Sequence, residues 1–101
     1  MEDVFEVVAE PSRRGILDLL MDRPHSVGEI VDRTGLSQPN VSRHLRILRE
    51  ADVVQAQPQG QRRLYELRPE GLAELFGWIA PYQRLWHSSL DALERHLDKE
   101  D

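Results

Sequence analysis

Residues 26–52, SVGEIVDRTGLSQPNVSRHLRILREAD, constrain the fold more than any other stretch of the chain. They read as two short helices joined by a tight turn. Ser26, with Glu29 three residues on, gives the S-x-x-E capping box, in which each residue satisfies an N–H of the other at the start of a helix. Thr34-Gly35 closes the first helix, glycine being able to take the positive φ required just past a helix end. Leu36 is the apolar pin of the turn. Ser37 caps the second helix, and Pro39 fits its first turn, where a missing N–H does no harm. Val41, Leu45 and Leu48 then recur at i, i+4 and i+7, an inward stripe, while Ile30 and Val31 supply the apolar face of the first helix. The outward face of the second helix differs in kind. Gln38, Asn40, Ser42, Arg43, Arg46 and Arg49 are hydrogen-bonding or cationic, with His44 at the margin. A helix–turn–helix with such a face suits the major groove of DNA.

The net charge of −5 argues the other way until its distribution is considered. Residues 33–68 hold seven arginines and three acids, a local +4, whereas the rest holds six basic and fifteen acidic residues, a local −9. The cationic block coincides with the helix–turn–helix and the segment immediately after it, which favours a groove-facing surface over chance segregation of solvated charge.

The flanks complete one domain, 1–101. Residues 2–9, with Val4, Phe5, Val7 and Val8, read as a helix. Pro11 opens the next one, whose apolar face is Ile16, Leu17, Leu20 and Met21. Arg13 and Arg14 near its start run against the helix dipole; simple exposure is preferred to phosphate contact. Asp22-Arg23-Pro24-His25 is a turn, with His25 expected alone and solvated. Val53-Val54-Gln55-Ala56-Gln57 is extended, Pro58-Gln59-Gly60-Gln61 is a turn, and Arg62-Arg63-Leu64-Tyr65-Glu66-Leu67 is a second strand. This hairpin, within 53–68, is the wing of a winged helix, and it places Arg62 and Arg63 at its tip, within reach of phosphate or the minor groove. Pro69 starts another helical run, which Ala80-Pro81 should interrupt or kink. An amphipathic helix comes next, over 82–99. The expected fold is therefore mainly α with a small β-hairpin: a helix–turn–helix at 26–50, a wing at 53–68, and terminal helices at 1–9 and 70–98 that form a dimer interface. Val4, Phe5, Trp78, Tyr82, Leu85, Trp86, Leu90, Leu93 and Leu97 are its expected residues, because so short a chain would otherwise expose too much apolar surface. Folding back of the last helix onto its own domain is the alternative.

From Pro11 the chain runs Pro-Ser-Arg-Arg-x-Ile-Leu-x-Leu-Leu, and over residues 36–54 Leu-Ser-Gln-Pro-Asn-Val-Ser-Arg-His-Leu-Arg-Ile-Leu-Arg-Glu-Ala-Asp-Val-Val, succeeded by an arginine-bearing wing. This order resembles the ArsR-type winged-helix transcriptional repressors over nearly the whole chain. The resemblance implies a homodimer that binds a palindromic operator in double-stranded DNA and leaves it when a small-molecule or metal effector arrives. It also implies that Gln38, Ser42 and Arg43 face bases or nearby phosphates, while Ser37, His44 and Arg46 hold the backbone. Chemistry supports several of these roles separately: Gln pairs bidentately with adenine and Arg with guanine, and a serine at a helix start can offer its hydroxyl and backbone N–H to phosphate.

The chain departs from the family's metal-sensing pattern. Where relatives carry Cys-x-Cys, this chain has Ser26 and Gly28, and it contains no cysteine, which excludes disulfides and thiolate metal sites. At the second family site stand Gln83, Leu85, His96 and Lys99, of which only His96 can ligate. His87 and Asp91, one turn apart, could bind zinc with His96 of the partner subunit; ordinary surface residues beside a dimer interface are preferred. No metal and no cofactor are therefore expected. Trp78, Tyr82 and Trp86 could wall a ligand pocket, but interface packing explains them with less.

No activated nucleophile, paired acid and base, or phosphate loop is evident, so an enzyme is not expected. A winged helix serving only protein–protein contacts is the rival reading, and the arginine block argues against it. No run approaches the roughly 20 apolar residues of a membrane span, and no leader is visible, so a cytoplasmic protein without a membrane partner is expected.

Overall fold

The computed structural model describes residues 3–99; Met1 and Glu2, the first residues of the expected N-terminal helix region, lie outside them, as do Glu100 and Asp101. The elements run α1 (Val4–Ala9), α2 (Pro11–Asp22), α3 (Val27–Thr34), α4 (Gln38–Glu50), β1 (Val54–Gln59), β2 (Arg62–Leu67), a 3-10 turn (Pro69–Leu72) and α5 (Ala73–Lys99). Mainly helical architecture with one antiparallel hairpin matches the expected winged helix–turn–helix.

Local sequence accounts for most boundaries. Both halves of the capping box at α3 form: the Ser26 N–H donates to Glu29 Oε1 at 3.1 Å, and the Glu29 N–H donates to Ser26 Oγ at 3.2 Å. Gly35 ends α3 with φ 75°. Ser37 Oγ accepts from the Asn40 N–H at 3.3 Å and starts α4. The end of α4 is a Schellman arrangement. The Val53 N–H donates to the Leu48 carbonyl at 3.1 Å and the Asp52 N–H to that of Arg49 at 3.0 Å. Asp52 takes the left-handed φ of 60° there, and Leu48 and Val53 are both fully buried.

The core joins Val4 and Val7 of α1, Ile16 and Leu20 of α2, Ile30 of α3, Val41, Leu45 and Leu48 of α4, and Val53, Val54 and Tyr65 of the wing base. Val4 was expected at the dimer interface. It is instead 6 % exposed inside its own subunit, because α1 folds across α2. Met21, expected on the inward face of α2, is 77 % exposed, since it lies in the last turn of that helix, beyond the last core residue Leu20.

Four further expectations change. Arg13 and Arg14 are not simply exposed: Arg13 Nε donates to the Val7 carbonyl at 2.7 Å, and Arg14 donates to Val8 and Ala9 at 2.9 and 2.8 Å. Their charge, unfavourable for the start of α2, answers the carbonyls at the end of α1. His25 is not solvated but 2 % exposed. Its backbone exchanges hydrogen bonds with Tyr65, at 3.0 and 2.8 Å, as a one-residue third partner of the wing. Pro58 and Gln59 belong to β1 rather than to the turn, which shrinks to Gly60-Gln61, Gly60 having φ 63°; both strands of a two-stranded sheet are edges, where proline is tolerated. Pro81 does not interrupt the last helix, which runs unbroken from Ala73 to Lys99. The N–H that Pro81 lacks would have bonded the carbonyl of Gly77, and both residues are exposed, so that carbonyl stays open to solvent.

Candidate nucleic-acid interface

Helix α4 has two unlike faces. Val41, Leu45 and Leu48 are at most 1 % exposed and anchor it to the body. Gln38, Asn40, Ser42, Arg43, Arg46 and Arg49 are all exposed on the opposite side, as is the cap Ser37. Three guanidinium groups and three hydrogen-bonding side chains thus project from a rigidly held cylinder, and among the described residues none of Arg43, Arg46 and Arg49 forms an ion pair. The helix fixes where these groups stand, and the cap holds its first turn.

His44 does not join that face. It is 5 % exposed and its Nδ1 lies 3.4 Å from Arg13 Nη1. The reason is angular: His44 follows Val41 by three residues and precedes Leu48 by four, so it shares their inward sector. Burial pushes its pKa below the ordinary value, and the nearby cations Arg13 and Arg43 push the same way against the opposing pull of Glu10. Enclosed on the inner face of α4, the imidazole cannot reach a phosphate, so His44 does not make the expected backbone contact.

The wing tip brings Arg62 and Arg63 to the same side as the start of α3, where Ser26, Val27, Gly28 and Tyr65 complete a shallow groove with them. Arg62 Nη2 lies 3.3 Å from Glu29 Oε1. Glu29 is also 2.9 Å from Arg23. The Ser26 N–H and then Arg23 hold its carboxyl down at about 2. Arg63 makes no ion pair or hydrogen bond among the described residues. Glu29 was legible as half of a capping box, but its second role was not, because the partner lies 33 residues away.

Along α5, Trp78, Tyr82, Leu85, Trp86, Leu90, Leu93 and Leu97 are 41–66 % exposed. They recur at helical spacing and so form one stripe. Phe5 is partly buried and meets Trp78 edge-on at 5.8 Å between ring centres, and Trp78 in turn packs on Tyr82 at 5.1 Å. His87 and Asp91 border a depression on α5 beside Leu90 and Leu97. Among the described residues no three His, Cys, Asp or Glu side chains group as a metal site would require. Among the described residues no helix is long and apolar enough to cross a membrane.

Residues 10–56 match the model of the bacterial regulatory protein family called arsR. The transcriptional repressor SdpR of Bacillus subtilis is 35 % identical over 79 residues, spanning 78 % of this chain and 88 % of that protein. A crystal structure described as a possible transcriptional regulator for arsenical resistance superposes with a TM-score of 0.71 at 36 % identity, covering 92 % of this chain and 94 % of the other. The homodimeric winged helix–turn–helix DNA-binding domain of Mb0332 from Mycobacterium bovis, a possible ArsR-family regulator, gives 0.66 at 30 % identity, over 80 % and 75 % of the two chains.

Proposed function

Since the chain belongs to the arsR family of bacterial regulatory proteins, a family of transcriptional regulators and not of enzymes, we propose that it is a homodimeric repressor that occludes a promoter by binding a palindromic operator. The observation that carries this reading is the divided surface of α4, apolar inward and guanidinium-bearing outward. Laid in a major groove, α4 presents Gln38, Asn40, Ser42 and Arg43 to base edges, with Ser37 and Arg46 on the flanking phosphates. The wing tracks the backbone beside that groove. The exposed stripe of α5, with Phe5, supplies the two-fold contact, and two recognition helices then fall in successive grooves on one side of the duplex. Such a regulator acts in the cytoplasm, where the chromosome is. It senses no effector through cysteine thiolates, having none.

The test is a fluorescence-anisotropy titration against duplexes selected from random DNA. Affinity should fall steeply with salt, and Arg43→Ala with Arg46→Ala should flatten that dependence by about 0.9 log units per lost phosphate contact. Binding indifferent to both would overturn the reading in favour of a protein–protein module.

A further inference from the structure

The two arginines at the wing tip are adjacent in sequence and unequal in surroundings. Arg62 Nη2 is 3.3 Å from Glu29 Oε1, and Arg63 has no polar partner among the described residues. Glu29 is not a side chain that happens to be near. Its Oε1 accepts the Ser26 N–H at 3.1 Å, and its Oε2 is 2.9 Å from Arg23 Nη2, so both oxygens are fixed by α3 and the turn before it. The carboxylate is an acceptor already in place when the wing folds down, and it offers Arg62 a charge-assisted contact without reorganising. We propose that Glu29 is a positioning residue that holds Arg62 on the protein and ties the wing tip to α3, leaving Arg63 as the wing cation that meets the phosphate backbone. The inference rests on the DNA-binding reading above.

Electrostatics supports the division. Arg23, Glu29 and Arg62 together carry one net positive charge, centred on the start of α3. To reach a phosphate, Arg62 must exchange an immobilised carboxylate for a mobile duplex, and the carboxylate it leaves then repels that duplex. Arg63 meets neither penalty. The pairing also limits how the wing can swing, because the hairpin is only two strands wide and, among the described residues, its tip has no other charged anchor on the helical body.

The salt dependence of binding separates the two arginines, since each phosphate contact adds about 0.9 to the slope of log affinity against log salt. With the full chain and a fluorescent duplex selected by the wild type, Arg63→Ala should make that slope shallower by about 0.9. Arg62→Ala should leave the slope unchanged while Glu29 is intact. In a Glu29→Gln background, where the amide can still accept from Ser26 and keep the helix start, Arg62→Ala should acquire an effect of its own, and Glu29→Gln alone should bind more tightly than wild type. Equal losses from Arg62→Ala and Arg63→Ala in the wild-type background would overturn the proposal, and that comparison stands even if Glu29→Gln unfolds. A wild-type chain whose binding ignores salt and the Arg43→Ala/Arg46→Ala change would instead sink the DNA-binding reading itself.

Discussion

The Arg13 guanidinium stands 3.4 Å from His44 Nδ1, and the same side chain donates to the Val7 carbonyl at 2.7 Å. A guanidinium only donates, so a hydrogen bond here requires the His44 tautomer whose Nδ1 carries no proton. One side chain thereby joins three helices: it belongs to α2, closes α1 and touches α4 from inside. Protonating His44 would set two cations against each other in an enclosed space.

Stability should therefore fall in mild acid. The folded-state pKa of His44 lies below the ordinary value of 6.5, so the unfolded chain binds the proton more readily. The contribution is fully present above that value and is lost as pH falls from it through the lowered folded value. Urea unfolding at about pH 8 and about pH 5 should show the loss, and His44→Leu should remove this part of the difference. An unchanged difference in that variant would assign the slope to other groups.

Arg13→Ala removes the donor to α1 and should cost about 1.5–3 kcal/mol in urea unfolding, the range for a hydrogen bond involving a charged group. Because α1 carries Phe5, the same variant should also weaken self-association measured by sedimentation.

Glu29 gives a titration of the opposite sign. Its carboxyl is held at about 2, with the Ser26 N–H as the first cause. Its contribution is present above the unfolded value of 4.5 and is lost as pH falls through the folded one. Glu29→Gln should flatten the acid limb of the stability curve measured by circular dichroism, leaving the limb near neutrality untouched.

Replacing Leu93 and Leu97 by glutamate places charge in the exposed stripe of α5. Sedimentation should then give monomers, and operator affinity should drop with the loss of the second half-site. A wild-type chain that is already monomeric at micromolar concentration would end the two-fold interpretation.

Backbone strain offers the fourth stability test. Asp52 has φ 60°, a region glycine adopts without cost. Asp52→Gly should raise the melting temperature by the equivalent of about 0.5–1 kcal/mol, the ion pair it removes, 3.9 Å from Arg68, being exposed and weak.

The helix–turn–helix was legible because its signals are local. Ser26, Glu29, Gly35 and Ser37 act within four residues of themselves, and the spacing of Val41, Leu45 and Leu48 needs only the helical period. The hairpin was legible for the same reason, but its turn was misplaced, since Pro58 is excluded from a central strand and not from an edge. What could not be seen were contacts closed by the fold: Arg13 reaching back to α1, His25 bridging Tyr65, Arg62 returning to Glu29. His44, read as marginal, lies in the inward sector that its spacing from Val41 and Leu48 sets. The interruption expected at Pro81 does not occur, because a lost donor is cheap where the helix faces water.

At Gly71 the backbone passes so close to Asp52 that an added Cβ would overlap the Asp52 carbonyl. That point sits between the end of α4 and the start of α5, and a main-chain contact offers no rotamer to absorb a shift. The segment leading into α5 is thus packed directly against the residue that follows α4. If α4 lies in the groove as proposed, the foot of that helix and the base of α5 share this one main-chain contact, so a bulkier residue at position 71 should disturb both.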